Sequence, residues 1–321
     1  MNSLLSIKNL SVDYGDIPIL KNINIGINQG EVLGIVGESG SGKSTLLKSI
    51  ISILGNSGKV IDGEIIFNNK NLLEISNEEL RGIRGNELSF ISQNPEASFC
   101  PIKTIEKQFV EAVKAHGNID RAETINKITD IFSKINLRNV RRILKSYPFE
   151  LSGGMNQRVG VALAMINNPK LILADEPTSA LDVTVQAQVV KILMNLRKTF
   201  NTSIMIVTHN IAVVEYMADN IAVMYHGIIV EYGKKEDIIK NPIHPYTKLL
   251  IDTTPTMNSD NIANISSNII AIDKRNKGCP FAPRCNRKMG ICSLEIPKPI
   301  EDNNRMVACH LYNKVKEVGV L

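Results

Sequence analysis

The chain opens on a period of two. In ILKNINIGI, Ile23, Ile25 and Ile27 alternate with polar neighbours, and LSIKNLSVDY alternates in the same way before it. Successive side chains of a strand point to opposite faces, so both stretches predict half-buried β-strands. EVLGIVG differs, because its apolar residues run almost without a break. Such a run suits a parallel strand buried on both faces. It feeds GESGSGKSTLLKSIISIL, a glycine-rich loop that opens a helix. GEIIFNN and ELSFISQ predict two further strands.

The period then changes. From about Thr104 to Arg142, Ile125, Ile128, Ile131, Phe132 and Ile135 recur at three- and four-residue spacing, which is one face of an amphipathic helix. The segment after LSGG continues this helical block. KLILADEP returns to a buried strand, TVQAQVVKILMNLRKTF predicts a helix and SIMIVTHN another strand. NIAVMYHGIIVEYG predicts a hairpin turning near His226-Gly227. Strands alternating with helices predict an α/β fold with a mainly parallel core sheet. The helical insert, about residues 95–165, forms its own subdomain within a first domain of residues 1–240. Beyond it the texture shifts. NPIHPYTKLL is punctuated by proline, MNSDNIANISSNII is polar and predicts a linker, and a cysteine-bearing segment follows. Residues 241–321 are therefore expected to form a separate extension.

Composition adds limits rather than an identity. The chain has 321 residues, 43% hydrophobic and 21% charged, enough for one large domain with an appendage. Its formal net charge is +5, with both signs interleaved, so no nucleic-acid partner is expected. No apolar run reaches the roughly 18–20 residues that span a bilayer. MNSLLSIKNLSVDY lacks a basic start and a long apolar core, so no signal peptide is expected. The expected place is the cytosol, with any membrane work done through a partner. Four of the five cysteines, Cys279, Cys285, Cys292 and Cys309, crowd the C-terminal segment. In a cytosolic chain that points to metal before disulfides.

The chemistry begins at GESGSGKS, Gly37 to Ser44, which fits G-x-x-x-x-G-K-[ST] between a strand and a helix. Backbone N–H groups must wrap a polyphosphate, and side chains would block that approach. The helix N-terminus adds unpaired donors and partial positive charge. Lys43 can reach the β- and γ-phosphates, and Ser44 can offer its hydroxyl to Mg²⁺. The plainer alternative is a capped glycine turn. LILADEP then ends a buried strand with two carboxylates, Asp175 and Glu176. Neighbours on a strand face opposite ways, so their tasks differ. Asp175 is the candidate Mg²⁺ partner and Glu176 the candidate to orient the attacking water. Gln93 and His209 each follow a strand, where α/β sheets place ligands. By spacing alone, each is equally a polar loop residue.

LSGGMNQR raises a separate question, for it is a second glycine turn opening a helix but has no lysine. Ser152 can cap that helix, and Gly153 and Gly154 leave its backbone bare. It is suited to touch a phosphate that another element already holds.

GESGSGKST, LSGGMNQR, LILADEPTSALD and VTHN, in this order, resemble the ATP-binding subunit of an ABC transporter over residues 1–240. The resemblance implies a P-loop NTPase core with an antiparallel β subdomain, a helical subdomain and a small cysteine-containing extension. It implies ATP held by Gly37, Glu38, Ser39, Gly40, Ser41, Gly42, Lys43, Ser44 and Thr45, with Tyr14 against the adenine. Mg²⁺ would sit near Ser44, Gln93 and Asp175, and Glu176, His209 and Gln93 would form the catalytic set. In such proteins two cassettes pair head to tail, so Ser152, Gly153, Gly154 and Gln157 would serve the partner's ATP. Asp182 would signal across that dimer.

HPYTKLL, GCPFAPRCNRKMGIC and VACH are similar to the extension of dipeptide, oligopeptide and nickel importer ATPases. That likeness implies a 4Fe–4S cluster on Cys279, Cys285, Cys292 and Cys309. Their separations of five, six and sixteen residues suit iron–sulfur and Zn²⁺ equally. The implied partners are a second ATPase cassette, two transmembrane permeases and, indirectly, an extracellular binding protein. The implied place is the cytoplasmic face of the membrane, and the implied cargo is peptide or, alternatively, nickel. A soluble ABC ATPase acting on ribosomes or DNA is the distant alternative, disfavoured by a single cassette without sustained heptads.

Overall fold

A computed structural model describes residues 3–117, 120–179, 181–253, 278–302 and 305–313. The polar linker MNSDNIANISSNII lies outside the described residues.

Two sheets organise the chain. The first is antiparallel and is built from β1 (Leu5–Tyr14), β2 (Ile17–Ile27) and, after β3 (Val32–Val36) has left for the second sheet, β4 (Gly58–Phe67) and β5 (Lys70–Asn71), in the order β2-β1-β4-β5. The isoleucines that alternate in β2 explain its placement: Ile23, Ile25 and Ile27 are buried, while Asn22 and Asn24 carry the opposite face. The second sheet adds β6 (Leu88–Ile91), β7 (Leu171–Asp175), β8 (Ser203–Thr208), β9 (Asn220–Tyr225) and β10 (Ile228–Lys234). Strands β9-β3-β8-β7-β6 are all parallel neighbours, and β10 pairs antiparallel with β9.

The uninterrupted apolar strands lie in the middle of this second sheet. Every residue of β3, β7 and β8 is buried. Their alternate faces feed two cores. Val32 and Val36 pack with the helices, whereas Leu33 and Ile35 pack with the antiparallel sheet. The two sheets thus enclose one apolar layer, which also takes Leu46, Leu47 and Ile50 of the helix after β3 and Leu80 and Ile83 of the helix Asn77–Ile83. The helices of the insert cover the other face. The predicted helical block resolves into helices Ile105–Lys114, Arg121–Lys134 and Val140–Lys145, with Phe109, Ile128, Ile131 and Phe132 buried in the helix-side core.

The hairpin after β9 turns at His226 and Gly227, whose φ values of 44° and 82° are both positive. Such turns match the natural twist of antiparallel strands. The extension is joined to the core more closely than its sequence suggests. Pro245 opens the helix Pro245–Asp252, which His244 caps through its side chain. The short hairpin β11 (Ile300–Asp302) and β12 (Arg305–Val307) then pairs with β10 and completes an eight-stranded sheet.

Candidate nucleotide site

The site is assembled at the carboxyl ends of β3, β7 and β8. The loop Gly37–Gly42 leaves β3 and enters the helix Lys43–Ile50. Gly42 caps that helix at φ 102°, a left-handed conformation that glycine adopts without a Cβ clash. A Cβ on Gly37 would stand 2.1 Å from the Met224 carbonyl oxygen, so the loop also needs glycine there for packing. Ser39 and Gly40 are exposed at the tip, and Ser44 and Thr45 are half-buried on the first turn.

Lys43 is turned inward. Its Nζ donates to the carbonyl oxygens of Gly37 and Glu38, both at 2.9 Å, and lies 3.5 Å from Ser41 Oγ. Burial lowers its pKa, opposed by the nearby charges of Glu176, Asp175 and Glu38. The ammonium is therefore held ready on main-chain carbonyls beside a bare glycine loop.

Ser44 Oγ donates to Asp175 Oδ1 at 2.8 Å. Burial raises the Asp175 pKa, with the Ser44 hydrogen bond working the other way. A hydroxyl and a buried carboxylate in contact are a donor set of the kind Mg²⁺ takes. Glu176 follows with φ 45°, uncommon for a residue with a side chain. Its carboxylate is 2.9 Å from His209 Nδ1, and its N–H donates to the Val207 carbonyl at 2.8 Å. The two carboxylates point apart, Asp175 towards Ser44 and Glu176 towards His209. The cause is the left-handed backbone at Glu176, just past the end of β7, rather than strand alternation. Gln93 is exposed just beyond β6, three strands away from β3 in the sheet order. Tyr14 ends β1 half-buried, beside Gly58 in the register.

The second glycine turn stands apart from this group. Ser152 caps the helix Gly153–Met165, accepting from Met155 N–H at 3.4 Å. Ser152 and Gly153 are exposed, and a Cβ on Gly153 would meet nothing within 4 Å. Gln157 does not share that exposure. It is buried and its Nε2 donates to the Pro177 carbonyl at 2.6 Å, which ties the helix to the loop after Glu176. Asn156 is also buried and donates to the Pro148 carbonyl at 3.0 Å. Asp182 caps the helix Val183–Phe200 by accepting from Val185 N–H at 3.0 Å.

Residues 20–179 match the family model for the ABC transporter, and residues 230–292 match that for the oligopeptide/dipeptide transporter C-terminal region. The chain is 38% identical over 314 residues to the oligopeptide transport ATP-binding protein OppD of Escherichia coli strain K12, covering 96% of this chain and 93% of that one. It is 36% identical over 329 residues to the dipeptide transport ATP-binding protein DppD of Bacillus subtilis strain 168, covering 100% of this chain and 98% of that one. The chain belongs to the ATP-binding subunits of ABC transporters. Among solved structures it is similar to cbiO1 from Clostridium perfringens, with a TM-score of 0.65, 26% identity and coverage of 75% and 92%. It is also similar to the ATP-binding cassette MJ0796, solved as a dimer in a post-hydrolysis state with ADP and Pi. There the TM-score is 0.64 and the identity 30%, with coverage of 72% and 98%. Proteins of this family hydrolyse ATP to drive transport, and they use ATP with Mg²⁺.

This ABC subunit carries features at its site that its motifs do not spell out. Tyr246 Oη accepts the Glu38 N–H at 2.9 Å, and Arg284 grips the Glu38 carboxylate with two contacts of 2.8 and 2.9 Å. Both partners lie more than two hundred residues along the chain from Glu38, in the extension, and sequence spacing gave no signal of them. The four C-terminal cysteines line one small cavity together with His244, Pro245 and His310. All are free thiols, and burial raises Cys279 and takes Cys309 to about 11. Among the described residues, no group of three or more His, Cys, Asp or Glu is arranged to hold a metal ion. The donor types suit a metal but the thiols are not closed around one. Nor is any helix among the described residues long and apolar enough to cross a membrane.

Proposed function

We propose that this chain is an ATP-hydrolysing subunit of a peptide importer and that it works as half of a composite site. The observation that carries this reading is the exposed Ser152–Gly153 turn. It presents a capped helix N-terminus outward, apart from its own phosphate loop, and has open space where a partner's phosphate would lie. A second cassette would bring its Lys43 loop against that turn, and two ATP molecules would close the pair.

Within one half, Lys43 leaves main-chain carbonyls for the β- and γ-phosphates, and the loop from Gly37 to Thr45 supplies N–H donors. Tyr14 offers a face to adenine. Ser44 and Asp175, with Gln93 nearby, would hold Mg²⁺, which neutralises phosphate charge when bound. Glu176 orients a water whose oxygen attacks Pγ. The Pγ–O bond to ADP breaks and the water's proton passes to the carboxylate. His209, hydrogen-bonded to Glu176, fixes the carboxylate and would meet the γ-phosphate of bound ATP. Ser152 and Gly153, with Gly154 behind them, serve the partner's ATP. Asp182, at the head of the next helix, senses the other cassette. Gln157 supports the turn from below through Pro177.

The relatives named for oligopeptide and dipeptide transport favour peptide over nickel as the cargo. The chain would then sit peripherally at the cytoplasmic face, bound to two permeases that are fed by an external binding protein. Residues 1–240 form the cassette and 241–321 the extension. The convergence of four thiols on one cavity supports a bound 4Fe–4S cluster or Zn²⁺, tested by metal analysis and visible absorption of anaerobically purified protein. The catalytic reading is tested by Glu176→Gln. ATP binding should persist while hydrolysis falls by about 10²–10⁴-fold; unchanged turnover would remove Glu176 from the mechanism.

A further inference from the structure

We propose that Arg284 and Tyr246, both carried by the C-terminal extension, are positioning residues that set the phosphate loop for ATP. This rests on the reading that Gly37–Thr45 binds ATP. The argument turns on Glu38, the second residue of the loop. Each of its polar groups has a partner. The N–H donates to Tyr246 Oη at 2.9 Å, the carboxylate takes both terminal nitrogens of Arg284 at 2.8 and 2.9 Å, and the carbonyl accepts from Lys43 Nζ at 2.9 Å. The same carbonyl also accepts the Ser41 N–H at 3.2 Å, within the loop. The N–H and the carboxylate thus lead into the extension, while the carbonyl leads to the loop and to the lysine that must meet the phosphates. The extension therefore fixes the residue on which Lys43 rests.

The support beneath these two residues is rigid. Tyr246 is fully buried. Its ring centroid lies 4.5 Å from Tyr225 and 5.4 Å from Phe281, and Tyr225 and Phe281 are 5.3 Å apart, which closes a triangle of rings. Tyr225 ends β9, next to β3. The Arg284 guanidinium stands 5.8 Å from the Phe281 ring centroid and 6.0 Å from that of Tyr225. Arg284 itself closes the short turn Ala282–Arg284 between Cys279 and Cys285, and that turn hangs from Cys279 through the Ala282 N–H.

Charge supplies the second reason. A carboxylate in a loop that binds a polyphosphate repels its ligand unless it is offset. A guanidinium fork matches a carboxylate in shape and sign, as a lysine ammonium does not. The side chains are 24% and 41% exposed, so water screens the pair and its effect on stability is small. Its consequence is the placement and charge of the loop, which ATP affinity reads directly.

The test measures binding of a fluorescent ATP analogue and steady-state kinetics on the full chain. Arg284→Ala should raise Kd and KM for ATP by about 5–10-fold while kcat at saturating ATP moves less than about twofold, with Tm nearly unchanged. Tyr246→Phe, which keeps the ring and loses only the hydroxyl, should shift affinity in the same direction by a smaller factor. In a Glu38→Gln background the Arg284→Ala effect should vanish, because the two residues act as a pair. Arg284→Lys should fall between wild type and Arg284→Ala, and it carries the test if Arg284→Ala does not fold. Wild-type affinity in Arg284→Ala, or an equal loss in the Glu38→Gln background, overturns the proposal. Lys43→Ala separates the two readings: if it too binds ATP normally, the nucleotide site itself is misassigned. If it abolishes binding while Arg284→Ala does not weaken it, only the positioning role fails.

Discussion

Replacing Glu231 by alanine should loosen the extension from the core. Glu231 lies on β10 with its side chain fully buried. It accepts the N–H groups of Ile243 and His244, both at 2.9 Å, and Arg305 Nη2 at 2.6 Å. Arg305 is only 18% exposed. One carboxylate thus joins β10, the start of the helix bearing Tyr246, and the β12 hairpin. Glu231→Ala leaves two main-chain donors without their acceptor and a largely buried guanidinium with its charge unpaired, held only by the Asn241 carbonyl. Breaking one side of a buried pair costs about 3–5 kcal/mol. Counting the two stranded N–H groups at about 1–3 kcal/mol each reaches a similar figure. For a chain of this size, with an unfolding entropy of about 2.1 cal/mol/K per residue, that lowers the melting temperature by roughly 4–7 °C. Differential scanning calorimetry measures it, and Arg305→Ala added to Glu231→Ala should cost little more. A shift below about 2 °C, or additive losses, would refute the argument that this carboxylate fastens the extension.

Two further effects follow from local geometry. Gly227 sits at φ 82°, where a Cβ would lie 2.1 Å from the Ile19 carbonyl oxygen, and its N–H donates to Ser41 O in the phosphate loop at 2.9 Å. Gly227→Ala should therefore lower the melting temperature and weaken ATP binding together, by about 2 kcal/mol or more in stability. At the helix Asn77–Ile83, Ser76 and Glu79 cap each other, and hydrogen bonds from Ser76 hold the Glu79 carboxyl below its ordinary 4.5. A carboxyl depressed in the folded state contributes stability above pH 4.5 and loses it as pH falls through the folded value. Ser76→Ala keeps the N–H at that position but loses both the hydroxyl's bond to the carboxylate and the cap on the Glu79 N–H. Its melting temperature should lie below wild type at pH 7, and the gap should narrow, without closing, in acid.

Local signals carried most of the architecture. β3, β7 and β8 are buried on both faces, and an unbroken apolar run reports that directly. The phosphate loop was legible because several backbone donors need glycine at fixed spacing. The helices of the insert announced themselves through Ile128, Ile131 and Phe132. Long-range pairing was not legible. β11 and β12 have three residues each, too short for a period, and they exist because β10 offers an edge. The hold of Arg284 and Tyr246 on Glu38 depends on how the extension folds back, which no local pattern encodes. Gln157 sits in the signature but is buried and donates to the Pro177 carbonyl, a contact twenty residues along the chain that motif spacing does not encode. Cysteine spacing could not choose a ligand, and the fold adds that all four thiols line one cavity.

The most direct measurement is the oligomeric state of Glu176→Gln with ATP, followed by light scattering, with and without Ser152→Arg. A composite site predicts an ATP-dependent dimer that Ser152→Arg abolishes, and wild-type hydrolysis that Ser152→Arg also removes. Hydrolysis by a monomer that ignores Ser152→Arg would contradict it and leave LSGGMNQR as only a capped helix.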